Sequence, residues 1–174
     1  MSLWEVTALL PKIKIDTSQL ESPIVKEMTR QGEIIERMYQ RTVKTWKNKP
    51  KFKMTLKRGA RTWIMRVGYD PSDGAGLIYF WTDHGTDPHP ISPKNPGGRL
   101  FFRSKFVPKT RSRVIGSRAG FKGGNLVSPK IVKKHPGTKA REFTKTIYNR
   151  RKDYFSREMA KAMRRAIRKA HKRR

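Results

Sequence analysis

The chain has 174 residues, with 42 Lys or Arg against 13 Asp or Glu, a formal charge of +29. With no cysteine it holds neither a disulfide scaffold nor a Cys-based zinc site. Only 35% of it is hydrophobic, which predicts a modest core with arms that order against partners.

Charge of this size repels itself in a compact state and calls for a polyanion or acidic neighbours, with nucleic acid the first expectation. Residues 88–174 carry +24 of the +29, and residues 88–141 hold no acid. At the N-terminus, "MSLWEVTALLPKIK" lacks the basic start and long apolar run of a secretory signal. No stretch approaches the about 20 apolar residues that span a bilayer, so no membrane partner is expected.

Leu3 to Leu10 partly alternates and predicts a strand that docks on a sheet, with "PKIKID" continuing extended. Ser22-Pro23 predicts a helix start, with Ser18 and Glu21 as a competing capping box. Ile24, Val25, Met28, Ile35, Met38, Tyr39, Val43 and Trp46 then mark one face of a long helix, stopped by Asn48 to Pro50. "FKMTLKR" and "RTWIMRVGY" alternate as strands about a turn at Gly59-Ala60. After a turn at Pro71 to Gly74, the aromatic run "GLIYFWTDHG" predicts a third strand. The expected fold is α+β: a small antiparallel sheet covered by the long N-terminal helix, with a basic C-terminal helix.

We expect one domain over residues 1–174, with an extended Gly/Pro-rich basic arm over 88–134. Within the arm "LFFRSKFV" predicts a short strand, and "LVSPKIVKKHPG" returns to extended structure. A long loop of this kind is functional or disordered. Phe102 and Phe106 suit stacking on single-stranded bases, but burial against the sheet or a neighbour is the favoured reading. From 144 to 172, apolar residues at steps of three and four predict the basic C-terminal helix, with a frayed tail "HKRR".

His84, His89 and His135, with Asp83 and Asp87, are the candidates for a metal or nuclease site. The five-residue step from His84 to His89 in a Pro-Gly loop matches no ligand spacing, and turn chemistry is the favoured reading. There is no G-x-S-x-G and no Walker sequence, and the glycines of "RAGFKGGN" are wrongly spaced for a phosphate loop. We therefore expect no catalytic residues, no cofactor and no metal. The candidate nucleic-acid-facing residues are Arg111, Arg113, Arg118 and Lys122 in the arm, and Arg157, Lys161, Arg164 and Arg168 on the terminal helix. Net +10 over residues 142–174 exceeds what solubility needs.

Two histidine-containing Gly-Thr turns flank the arm. Trp81, Asp83, Gly85 and Thr86 precede "HPISPK", and His135, Pro136, Gly137 and Thr138 lead through Ala140 to Phe143 and the last helix. In these motifs and in the order of its elements, from about Pro23 to Ala170, the chain resembles the tailed-phage neck and tail-completion proteins. That family includes siphophage tail-component proteins and the lambda-type minor tail protein Z. Glu142 stands where members often have Pro. The resemblance implies a non-enzymatic subunit of the head–tail junction, part of a homo-oligomeric ring around the DNA channel. It implies a place in the virion, reached from the host cytoplasm during assembly. Its partners would be adjacent connector and tail-terminator rings, with double-stranded DNA a candidate. The rival reading is a ribosomal-type nucleic-acid-binding protein, and behind it a DNA-processing enzyme.

Overall fold

A computed structural model describes residues 4–9, 17–59 and 62–171 of the chain. Its elements run β1 (Trp4–Leu9), α1 (Thr17–Thr42), β2 (Phe52–Arg58), β3 (Thr62–Tyr69) and α2 (Gly74–His84), then β4 (His89–Ile91), β5 (Phe102–Val107), β6 (Phe121–Val127), β7 (Val132–His135) and α3 (Phe143–His171). The fold is α+β, with antiparallel strands and long helices near each end of the chain. The expected extension of "PKIKID" lies outside the described residues, as does the expected frayed tail beyond His171, which closes α3.

The chain divides into two compact units. The first is built from residues 1–40, 51–70 and 144–174, the second from 41–50 and 71–143. In the first unit the sheet runs β1-β3-β2, all antiparallel, with Phe52 opposite Tyr69 and Trp4 opposite Val67. Alternation on β3 sends Met65, Val67 and Tyr69 into the core. The helical stripe of α1 adds Ile24, Met28, Ile35 and Tyr39, all fully buried. Tyr39 stacks on Phe52 at 5.2 Å, joining helix to sheet. Ile147, Phe155, Ala162, Ala166 and Ala170 line the buried side of α3.

The helix α1 starts at Thr17, ahead of both expected caps, and Pro23 lies inside it. Near the N-terminus the missing N–H removes a single hydrogen bond, so the proline is tolerated. The helix ends at Thr42 rather than running on to Asn48. Two i→i+3 hydrogen bonds, Lys44 to Arg41 and Trp46 to Val43, tighten the chain there into turns.

The larger correction concerns residues 74–84. Their aromatic composition predicts a third strand, yet they form α2, and the third strand of the sheet is β1. Asp73 decides it locally: in extended conformation, its side chain accepts the Ala75 N–H as an N-cap. Gly76, Tyr79 and Asp83 are buried at steps of three and four, a helical period hidden among β-favouring side chains.

In the second unit the arm is not a bare loop. β4 pairs with β7 and β5 with β6, both antiparallel. Leu100 N–H donates to the Pro129 carbonyl at 3.0 Å, and Arg99 donates twice to the Ser128 carbonyl. Phe102 is 44% exposed, so of the two covers expected for it, the sheet or a neighbour, the sheet is not the one supplied; the side chain of Phe106 lies outside the described residues.

Candidate functional site

The two Gly-Thr motifs meet. Thr86 N–H donates to the Thr138 carbonyl at 2.9 Å and Thr138 N–H returns to the Thr86 carbonyl at 3.2 Å, while the Thr86 hydroxyl also accepts the Thr138 N–H. Both glycines need their left-handed backbone, φ 84° at Gly85 and 79° at Gly137. A Cβ on Gly85 would lie 2.7 Å from the Thr138 carbonyl oxygen, and one on Gly137 would lie 2.1 Å from that of Thr86. The pairing continues through His89 and His135, opposite each other with rings 5.1 Å apart. Both ends of the arm are thereby closed on each other by a reciprocal clasp.

The same segment caps α2. Arg141 and Glu142 donate their N–H groups to the carbonyls of Thr82 and Asp83, each at 3.0 Å. Glu142 holds φ 53° to do so. Proline, frequent here in the resembled family, has neither that φ nor an N–H. Phe143 follows, fully buried, its ring 5.7 Å from Tyr79. Asp83 is buried and Pro136 exposed. Trp81, alone among the motif's large side chains, is 46% exposed.

His84 closes the last turn of α2, while His89 and His135 serve turns. His84 Nδ1 donates to the Phe80 carbonyl at 3.0 Å, and His89 Nδ1 to that of Asp87 at 2.7 Å. His135 Nδ1 accepts the Gly137 N–H at 3.1 Å. Among the described residues, no three His, Cys, Asp or Glu gather into a metal-binding group.

The arm cations do not converge. Arg111 is exposed, Arg113 pairs with Glu142 at 2.5 Å, and Arg118 donates Nε to the Pro108 carbonyl at 3.0 Å. Glu142 also holds the Arg113 guanidinium more firmly protonated. Thr45 fixes the Arg118 segment from the other side, its hydroxyl donating to the Arg118 carbonyl at 2.9 Å. Lys122 is exposed on β6.

On α3 the cations do converge. Arg157, Lys161, Arg164 and Arg168 are all exposed, as is Arg150, which the sequence reading left out. At 100° and 1.5 Å per residue the five lie within about 60° of the helix surface over about 27 Å. The steps from Arg150, seven, four, three and four, are the helical signal that finds it. Beside the stripe stands Tyr154, with the Arg151 guanidinium 4.5 Å above its ring and that of Arg157 at 5.9 Å. Lys161 also pairs with Glu158 at 2.8 Å.

A polar network beneath fixes α3 to α1. Gln31, fully buried, donates to Glu27 at 2.7 Å and accepts from Arg151. Arg30 holds Glu27 through Nη2 at 2.6 Å and reaches Glu158 at 3.4 Å. Burial alone would raise the Glu27 carboxyl, but hydrogen bonds from Arg30 and Gln31 and the charges of Arg30 and Arg165 outweigh it and hold it below the usual carboxylate range. Burial pushes the Arg151 guanidinium down.

Among the described residues no helix is long and apolar enough to cross a membrane. The chain matches no protein-family model, no curated protein and no solved structure.

Proposed function

We propose that the chain is a structural subunit of the neck of a tailed bacteriophage, completing the head–tail junction as one member of a ring around the DNA channel. The observation that carries this reading is the reciprocal clasp of Thr86 and Thr138. It closes at its base a segment whose residues 88–137 hold 12 cations and no acid, as a device for reaching a neighbour needs. The role proposed is assembly, with no catalytic step, cofactor or metal. The partners proposed are copies of itself, adjacent connector and tail-terminator rings, and the phosphates of double-stranded DNA.

The exposed stripe from Arg150 to Arg168 suits the DNA contact. It is a row of charges without an element that reads base edges, so it contacts backbone without reading sequence. The same stripe favours a second reading, a ribosomal-type nucleic-acid-binding protein. The two separate in the particle. Deleting the gene from the phage that encodes it should leave filled heads and unjoined tails by electron microscopy, restored by the gene supplied in trans. Normal virions without the protein, with the protein found on host ribosomes, overturn the neck reading in favour of the second.

A further inference from the structure

Two exposed apolar surfaces of the second unit carry opposite electrostatic character. The first is a face of α2. Leu77, Ile78 and Trp81 lie within about 100° of one another on the helix, 36%, 49% and 46% exposed, while Gly76, Tyr79 and Asp83 bury the opposite side. No Lys or Arg occurs anywhere from Val67 to Pro93, although the chain has 42. Exposed carboxylates, Asp73 and Asp87, flank the helix instead.

The second surface is a cleft of about 670 Å³ beside the β5–β6 hairpin. Leu100, Phe101, Phe102 and Leu126 supply its apolar lining, Arg103 and Lys122 its charge. Phe101 is 68% and Leu126 58% exposed. Apolar surface left open this way marks an interaction site.

We propose that these surfaces bind each other between copies, the α2 face of one chain seating Trp81 in the cleft of the next. Charge chooses this pairing. Cleft against cleft opposes Arg103 and Lys122 to their own copies, with no acid between residues 88 and 141 to relieve them. Face against face opposes aspartates to aspartates. The mixed contact alone sets carboxylate beside cation around a shared apolar centre. Such a contact is head-to-tail, and repeated it closes into a ring or runs on as a filament. The inference deepens the ring reading above and rests on it.

The test uses the full chain and two double variants, Ile78→Ser/Trp81→Ser for the face and Phe102→Ser/Leu126→Ser for the cleft. All four side chains are substantially exposed, so far-ultraviolet circular dichroism should match the parent. By sedimentation at about 0.15 M salt, where exposed charges are screened beyond about 8 Å, the parent should self-associate. Each variant should do so at least about tenfold more weakly. Mixed together, the variants should form a one-to-one dimer and nothing larger, because one intact face meets one intact cleft. The chain has no native cysteine, so Trp81→Cys and Leu126→Cys copies should give a mixed disulfide on oxidation. A parent that stays monomeric overturns the proposal, as does a mixture that forms no dimer. Protection of the cleft by single-stranded DNA, with self-association unchanged in both variants, also overturns it and hands the cleft to nucleic acid. Parent rings that persist in both variants overturn this surface while leaving the neck reading to the virion experiment.

Discussion

The two units solve the burial problem to different degrees. Among the described residues, the sheet-and-helix unit contains nearly all the buried apolar side chains; the other buries Val43, Tyr79 and Phe143 and little else of that kind. Exposed large apolar residues show the reverse. Among the described residues, apart from Tyr148 and Tyr154 on α3, all of them, from Leu77 to Ile131, belong to the second unit. One unit completes its own core. The other is held by backbone pairing and turn chemistry and leaves apolar surface open. The difference separates a unit whose described apolar side chains are mostly covered from one whose apolar surface is left open.

The comparison breaks most visibly at Phe143. Phe143→Ala should cost about 3–5 kcal/mol of the second unit's stability, because so few side chains share its core. Hydrogen exchange should lose protection over 74–138 while β2, β3 and α1 keep theirs. Simultaneous loss in both regions would show that the chain opens as one unit.

Glu27→Gln probes the first unit in the same way. Removing the charge from the Arg30 and Gln31 contacts should cost about 1–2 kcal/mol at neutral pH, because Arg30 itself stays largely exposed. The folded carboxyl sits below its unfolded value, so its contribution is present above the usual carboxylate range and is lost as pH falls through the folded value. Parent and variant stabilities from urea unfolding should therefore converge toward acid pH. A gap that persists below about pH 3 would mean that packing, not charge, carries the effect.

Gly137→Ala sharpens the account of the clasp. The left-handed φ and the overlap with the Thr86 carbonyl should cost about 2 kcal/mol. Amide exchange at Thr86 and Thr138 should speed up together, with α1 untouched. Independent behaviour of the two amides would separate the halves of the clasp.

The smallest stability effect is expected on the α3 stripe. Changing Arg157, Lys161, Arg164 and Arg168 singly to Gln should move stability by less than about 0.5 kcal/mol. Each change should lower the salt dependence of duplex DNA affinity by about one unit of log–log slope, alike for unrelated sequences. Unchanged DNA binding combined with failure to join heads to tails would turn the stripe toward acidic protein.

Periodicity made the first unit legible. Alternation over Phe52 to Arg58 and Thr62 to Tyr69, and steps of three and four along α1 and α3, each reflect burial on one side of an element. Leu77 to Trp81 misled because their composition favours strands, while the deciding features, the Asp73 cap and the small Gly76, are single residues. The repetition of Gly85-Thr86 at Gly137-Thr138 was legible as two turns flanking the arm, but not their meeting, because a pairing 52 residues apart leaves no local periodic trace. The arm cations looked equivalent in sequence. Their differences arise from Glu142 and the Pro108 carbonyl, which reach Arg113 and Arg118 only in three dimensions.

The first unit is interrupted in the chain by the second, and this orders events during synthesis. Gln31 leaves the ribosome 120 residues before Arg151, which closes its hydrogen bond. At about 5–20 residues per second that interval is on the order of 10 s. Once Tyr69 has been made, about a third of the way through it, the stripe of Ile24, Met28 and Ile35 has β2 and β3 to fold against but no α3. Residues 71–143, by contrast, are complete before most of α3 has been made. The second unit is therefore complete in sequence first, and a polypeptide cut short within α3 would carry its exposed apolar side chains while the first unit lacks its last helix.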